Sequence, residues 1–264
     1  MNRIKILLLL ITISGLAFAG EFFRLIKTIP VTASSFTTDQ FANSYLVSGN
    51  QIVEYDSLGN KKYSYSDNLS GLLKSIDVAN PLQILLFYPD FAQVAFLDSK
   101  LSLQTKISLK PMGIQQPLLA CTSLSGGFWV FDQQDFQLKL ITDKLQVKYE
   151  SGNISQALGF NIKPAFMTES GNRLYMSDPS KGIFVFDNFG TYLKTLSVAG
   201  IRSFQLLKDE ILFASGNEII IFSLKNIVLN PWPGPGADSS LTHVRVQKQK
   251  LFLLRKEKFE IWSF

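Results

Sequence analysis

The chain has 264 residues, 46% of them hydrophobic and 18% charged, so it can bury a sizeable core and is not expected to be disordered. Its 22 phenylalanines and 8 tyrosines favour half-buried β-strands over helices, and we expect an all-β fold. The net charge of +5 comes from 26 basic and 21 acidic residues, and this small excess gives no indication of a nucleic-acid partner.

The first 19 residues have the pattern of a secretory signal peptide. Two basic residues precede an apolar run over residues 6–13, and Ala17 and Ala19 form the small-x-small pattern of a cleavage site. The alternative is a membrane anchor, but the run is shorter than the roughly 20 residues of a spanning helix. We therefore predict cleavage after Ala19, export across the inner membrane of a bacterium, and one mature domain over residues 20–264.

The single cysteine, Cys121, bears on two features of exported proteins. It lies far from the predicted cleavage site, so we do not expect a lipoprotein, and one cysteine cannot form an internal disulfide. Its surroundings, PLLACTSL, are an apolar strand-like run. This indicates a buried thiol rather than a nucleophile.

A repeated unit runs through the mature chain: an apolar strand, a turn opened by Asp, and a second strand of alternating polarity. The copies are IVEYDSLGNKKYSYS, QVAFLDSKLSLQTKISL, QLKLITDKLQVKYES, GIFVFDNFGTYLKTLSV and the weaker EIIIFSLKNIVLNP. Their turn positions, with a sixth in KFEIWSF, are Asp56, Asp98, Asp143, Asp187, Ser223 and Ser263. Another strand pair precedes each turn, and the spacing is close to the roughly 40–45 residues of a four-stranded propeller blade.

The sixth unit raises the question of how the ring closes. It contains LTHVRVQK, KLFLLRK and KFEIWSF, with no fourth strand after them, whereas EFFRLIKTIPV near the start is similar to the fourth strand TYLKTLSV. We predict a six-bladed β-propeller of four-stranded antiparallel blades, closed by the N-terminal strand pairing with the C-terminal blade. The alternatives are two unrelated apolar strands or a β-sandwich, because regular strand spacing also fits a sandwich.

The turns YDSLGN and FDNFGT, on a repeat near 42 residues, resemble the blades of secreted six-bladed β-propellers of the NHL or YncE-like kind. The resemblance implies a binding platform in the bacterial envelope rather than a particular activity. The tryptophan-rich blades of quinone-dependent dehydrogenase propellers are absent, as the chain has only three tryptophans. We expect no cofactor.

Catalytic and metal-binding patterns are sparse. His243 is the only histidine, no G-x-S-x-G motif precedes it, and we expect it to pack near the central channel rather than to act as a base. Calcium ligands could come from Asp132, Asp135 or Asp178, but their spacing is not that of an EF-hand and solvated turns are commoner. We therefore predict that the protein is not an enzyme and holds no metal.

The predicted partner-binding residues lie on one face of the ring. In a propeller, the loops between second and third strands share that face with the connections between blades. Trp232, between two prolines, is either a rigid aromatic display or a lid packed over the sixth blade. The predicted residues are Tyr88, Asp90, Phe91, Asp178, Lys181, Trp232, Arg255 and Lys256.

The function predicted from these observations is a protein–protein scaffold, an accessory subunit of an envelope assembly, monomeric by itself, in the periplasm or attached peripherally to the outer membrane. The alternative is a carbohydrate-binding or glycan-processing propeller, which needs two facing carboxylates. The last blade is basic, which indicates a solvated face or contact with an acidic partner or anionic membrane. Its basic residues are Arg245, Lys248, Lys250, Arg255, Lys256 and Lys258.

Overall fold

The computed structural model describes residues 23–235 and 240–264. The predicted signal peptide, residues 1–19, lies outside them. In these two ranges no helix combines the length and the apolar character needed to cross a bilayer. The described residues form six four-stranded antiparallel sheets arranged as a ring, so the predicted six-bladed β-propeller is confirmed.

The first half of the chain forms strand β1 and blades 1 to 3. Within each blade the strands follow one another from the centre of the ring to its rim. Strand β1 is Arg24–Pro30; blade 1 contains β2 (Ser35–Thr38), β3 (Ser44–Ser48), β4 (Gln51–Tyr55) and β5 (Lys61–Ser66); blade 2 contains β6 (Ser75–Asp77), β7 (Ile84–Tyr88), β8 (Gln93–Leu97) and β9 (Leu103–Ser108); blade 3 contains β10 (Pro117–Thr122), β11 (Phe128–Asp132), β12 (Gln137–Ile141) and β13 (Val147–Glu150).

The second half forms blades 4 to 6. Blade 4 contains β14 (Phe166–Ser170), β15 (Arg173–Asp178), β16 (Gly182–Asp187) and β17 (Tyr192–Leu196); blade 5 contains β18 (Gln205–Leu207), β19 (Glu210–Ser215), β20 (Glu218–Ser223) and β21 (Val228–Trp232); blade 6 contains β22 (Leu241–Gln247), β23 (Lys250–Arg255) and β24 (Lys258–Ser263). Short helical segments lie in the connections, at Pro89–Phe91, Lys110–Met112 and Ile154–Leu158 (α1).

Blade 6 is completed by strand β1, which pairs antiparallel with β24, as the sequence predicted. The register places Thr28 opposite Glu260 and Pro30 opposite Lys258, with a bulge between Leu25 and Lys27. Next to this pairing, the rings of Phe23, Trp232 and Phe264 meet with centroids 5.5–5.7 Å apart. The ring is therefore closed by the two ends of the chain.

The hydrophobic core lies between blades. Six buried clusters each combine residues of two neighbouring blades, in the order 1–2, 2–3, 3–4, 4–5, 5–6 and 6–1. Strands β7 and β11 are buried along their whole length because both of their faces pack against a neighbouring blade. Strands that pack on both faces require apolar side chains on both faces, which accounts for the abundance of phenylalanine.

The predicted Asp turns are stabilised by hydrogen bonds to the Asp side chain. Asp56 Oδ1 accepts the N–H groups of Leu58 and Asn60 at 2.8 and 2.9 Å, and the same pattern occurs at Asp98 and Asp187. A carboxylate at the first turn position stabilises such a turn by accepting the N–H two residues on.

Two of the six predicted turn positions are wrong. The third turn is opened by Thr142, whose hydroxyl and carbonyl bond to Gln146 and Leu145, while Asp143 accepts the Gly127 N–H at 3.0 Å. A threonine hydroxyl can replace the carboxylate, so the motif was displaced by one residue in the sequence. Ser263 opens no turn; it is the last residue of β24 and pairs with Arg24.

Candidate functional site

The two faces of the ring carry different loops. We call upper face the one formed by the loops between second and third strands and by the connections between blades, and lower face the opposite one. Three exposed apolar side chains lie together on the upper face at blade 2: Leu69, 88% exposed, Leu72, 67%, and Phe91, 51%. We call these three residues the apolar patch.

The apolar patch is assembled from two segments. Leu69 and Leu72 belong to the connection from blade 1 to blade 2, and Phe91 follows β7. Asp90 joins the segments, because its Oδ2 accepts the Leu72 N–H at 3.2 Å. At Gly71, whose φ is +80°, an added Cβ would lie 3.0 Å from Phe91 Cδ2. Asp90 and Phe91 were predicted on this face from the sequence, whereas the two leucines were not.

The connection carrying the leucines is fixed by Asp67. Its carboxylate pairs with Lys106 Nζ at 2.6 Å and accepts the Leu69 N–H at 2.9 Å and the Ser70 hydroxyl at 2.8 Å. Burial by itself raises the pKa of Asp67, but these hydrogen bonds outweigh burial and lower it to about 2. The patch therefore rests on an ionised, nearly buried carboxylate.

We expect Asp67→Asn to lose part of its destabilising effect at pH 3. The folded-state pKa lies below the usual 3.8, so the carboxylate contributes stability that is present above about pH 4 and lost as the pH falls toward 2. Urea unfolding at pH 7 and pH 3 should show the gap between wild type and variant shrinking at pH 3. The destabilisation caused by Asp67→Asn should also be smaller in a Lys106→Met background. A destabilisation that is the same at pH 7 and at pH 3 contradicts this account.

Three predicted partner-binding residues are buried. Tyr88, Asp178 and Arg255 are 0%, 1% and 3% exposed. Each is the last residue of the second strand of its blade, a position enclosed by the neighbouring blades. The prediction assigned them to exposed loops, whereas only the residues after them reach solvent.

The side chains of Asp178 and Arg255, at this buried position, stabilise the loops that follow their strands. Asp178 accepts the Ser180 N–H at 2.8 Å and the Lys163 N–H at 2.6 Å. Arg255 Nε pairs with Glu260 Oε2 at 2.9 Å, and its guanidinium also donates to the Pro235 carbonyl at 3.1 Å. These contacts fix loops to the blades and leave the side chains inaccessible to a partner.

The remaining predicted residues are spread over the upper face. Lys181 is exposed, with Nζ 4.8 Å from the centre of the Phe160 ring, and Lys256 is exposed on the turn between β23 and β24. Trp232 ends β21 and packs against Phe23 and Phe264, which is the lid arrangement rather than a free display. Only Asp90 and Phe91 of the predicted set come together with other exposed groups.

The basic residues of blade 6 do not form one exposed surface. Arg245 faces the centre of the ring, and Arg255 is buried. Lys258 pairs with Glu260 at 2.9 Å, Lys250 donates to the Ser57 carbonyl at 2.5 Å, and Lys248 lies over the Phe41 ring. Of the six basic residues, Lys248 and Lys256 are exposed to solvent.

The centre of the ring contains a cavity of about 320 Å³, lined mainly by the innermost strands. His243 lies on its wall, and burial, followed by the nearby Arg245 charge, lowers the pKa of the imidazole to about 4. The histidine is therefore neutral at physiological pH. Cys121 is buried outside this wall, where burial raises the pKa of its thiol.

The carboxylates considered as calcium ligands form ion pairs and hydrogen bonds within the protein. Lys139 Nζ lies 3.5 Å from Asp132 and 3.2 Å from Asp135, and both oxygens of Asp178 accept hydrogen bonds. Across residues 23–235 and 240–264, no group of three or more His, Cys, Asp or Glu side chains is arranged to hold a metal ion. Asp77 is the one carboxylate on the described wall of the central cavity.

No protein-family model and no curated protein matches the sequence. Solved structures are similar to the fold. Virginiamycin B lyase from Staphylococcus aureus is 12% identical, with a TM-score of 0.66 and 92% of this chain and 100% of that chain covered. The Pan2 WD40 domain from Neurospora crassa is 12% identical, with a TM-score of 0.65 and coverages of 91% and 95%. BBS1N, solved in complex with ARL6DN, is 11% identical, with a TM-score of 0.54 and coverages of 88% and 77%.

These similarities define the class of protein: the chain is a six-bladed β-propeller. At identities of 11–12% they show the fold alone. The similar structures include a lyase and a protein solved in a complex with another protein. The fold alone therefore does not define a function for this chain.

Proposed function

We propose that the protein is a non-catalytic propeller of the bacterial envelope, similar to the NHL or YncE-like kind, that binds a protein partner through the apolar patch. We place it in the periplasm, with peripheral attachment to the outer membrane as the alternative. It acts as a scaffold, an accessory subunit of an envelope assembly.

The observation that carries this proposal is the exposure of Leu69, Leu72 and Phe91 on two segments that Asp90 holds together. Exposed apolar patches mark protein interaction sites more often than scattered single residues do. The backbone beneath them is held by Asp67 and Asp90, so little order is gained or lost on binding. Asp90 supplies a charge at the rim of the patch, where charges set approach and specificity.

The proposal is tested by affinity isolation from solubilised envelope, comparing the wild type with a Leu69→Ala/Leu72→Ala/Phe91→Ala variant. The matched control is Leu58→Ala/Leu124→Ala/Phe189→Ala, which removes two leucines and one phenylalanine, each 51–57% exposed, from loops of the lower face. We expect one stoichiometric envelope protein to co-purify with the wild type and the control and to be lost from the patch variant. Equal recovery with all three, or with none, refutes the use of the patch.

The glycan-processing alternative receives less support. Acid–base hydrolysis of a glycosidic bond requires two carboxyl groups about 5–10 Å apart. The described wall of the central cavity offers Asp77 only, and both of its oxygens already accept backbone N–H groups. Tyr88, which would have stacked on a sugar ring, is buried.

A further inference from the structure

The central cavity contains a cation, Arg245, that is attracted by the charge of Asp77 without forming an ion pair with it. Arg245, on the innermost strand β22, forms no hydrogen bond and no ion pair with any residue in the described part of the chain. Burial lowers the pKa of its guanidinium to about 10, so the group stays protonated at physiological pH. Arg245 is half-buried, so its charge is only partly solvated, and a guanidinium offers five N–H donors.

Asp77, the nearest carboxylate in electrostatic terms, does not fill this role. Its Oδ1 accepts the Ala79 N–H and its Oδ2 the Thr122 N–H, both at 2.8 Å. It attracts Arg245 through its charge but forms no ion pair with it. Burial raises the pKa of Asp77, while its hydrogen bonds and the charge of Arg245 act in the opposite direction.

Two further cations on the wall, Lys74 and Arg202, add to the positive potential of the cavity. Lys74 and Arg202 are exposed at the beginnings of blades 2 and 5, where the cavity meets the upper face. His243 is neutral, and its buried Nδ1 has no hydrogen-bond partner among the described residues. Three cations and one carboxylate thus line a confined space, an arrangement that concentrates anions.

The wall is also apolar in part. Phe36, Phe166 and Phe204 line the same cavity. Its volume of about 320 Å³ is within the range of small-molecule sites. Apolar walls with a few convergent polar groups favour an organic molecule over a bare inorganic ion.

We propose that the central cavity binds a small organic oxyanion, a carboxylate or a phosphate ester, with its anionic group on Arg245 and its body against the phenylalanines. A planar guanidinium matches the two oxygens of either group in a bidentate manner. The site is separate from the apolar patch, so it stands or falls independently of the proposed scaffold function.

The test measures thermal unfolding and calorimetric binding with three probes, benzoate, phenyl phosphate and inorganic phosphate, against chloride at equal ionic strength. A probe at one hundred times its Kd should raise the unfolding temperature by about 5 °C or more. Benzoate and phenyl phosphate distinguish the two oxyanions, and inorganic phosphate reports the contribution of the apolar body. We expect at least a tenfold loss of affinity in Arg245→Met.

The control is Arg173→Met, which removes an exposed arginine from the lower-face end of β15. It should bind the probes as the wild type does. Arg245→Lys provides a second variant that keeps the charge but loses the planar fork, and it should also bind more weakly. Absence of binding by all three probes to the wild type, or unchanged binding in Arg245→Met or Arg245→Lys, overturns the proposal.

Discussion

Deleting residues 20–32 should destabilise the entire ring, because this segment contains β1. Without β1, the edge of β24 loses its backbone partner, and the 6–1 cluster loses Ile29, which is 9% exposed. Truncating one such core residue to alanine already costs about 2–5 kcal/mol, so we expect a loss of roughly 10 °C or more in the unfolding temperature. Thermal unfolding followed by circular dichroism measures the effect.

A matched pair of point variants separates closure from length. Ile29→Ala should reproduce part of the loss, whereas Leu25→Ala, on the same strand but 45% exposed, should change the unfolding temperature little. A peptide of residues 20–32 added to the truncated protein should restore stability by occupying the free edge of β24. A truncated protein that unfolds at the wild-type temperature is incompatible with closure by β1.

Trp129→Ala should be the most damaging single substitution between blades 3 and 4. Its indole is 1% exposed in the 3–4 cluster, and its Nε1 donates to Glu169 Oε2 at 2.7 Å across the interface. Truncation of such a residue costs about 3–5 kcal/mol through lost contacts and the cavity left behind. Urea unfolding monitored by far-ultraviolet circular dichroism measures the change.

Trp129→Phe separates packing from hydrogen bonding at this interface. It keeps an aromatic ring but loses the bond to the carboxylate, so we expect a smaller loss of about 1.5–3 kcal/mol. Glu169→Leu, which removes the acceptor, should be less damaging in the Trp129→Phe background than in the wild type. Additive losses would show that the bond contributes no coupling energy.

The architecture was predictable because its signals are local. Turn residues such as Asp56 and the alternation of the outer strands repeat along the chain. The strand-like segment that became β1 matched the fourth strand that blade 6 lacked. Burial at strand ends was not predictable in this way. Tyr88 and Phe91 belong to one aromatic segment, and only the packing of neighbouring blades decides that the first is enclosed and the second exposed.

The candidate sites depended on contacts between distant segments. Leu69 and Leu72 looked like ordinary apolar residues of a connection, and their exposure follows from the turn held by Asp67 and Lys106. Arg245 looked like one more basic residue of the last blade, and only ring closure turns it to the central cavity. Both arrangements depend on residues that are far apart in the sequence, so they were not predicted from the sequence.

The location of the core between blades has a consequence for how the molecule opens. A blade on its own has no buried cluster, because each of the six clusters takes residues from two blades. Releasing one blade therefore breaks two clusters at once, whereas a linear array would lose only one at either end. Slow amide exchange should consequently be distributed evenly around the ring, with no blade acting as a weak terminal repeat.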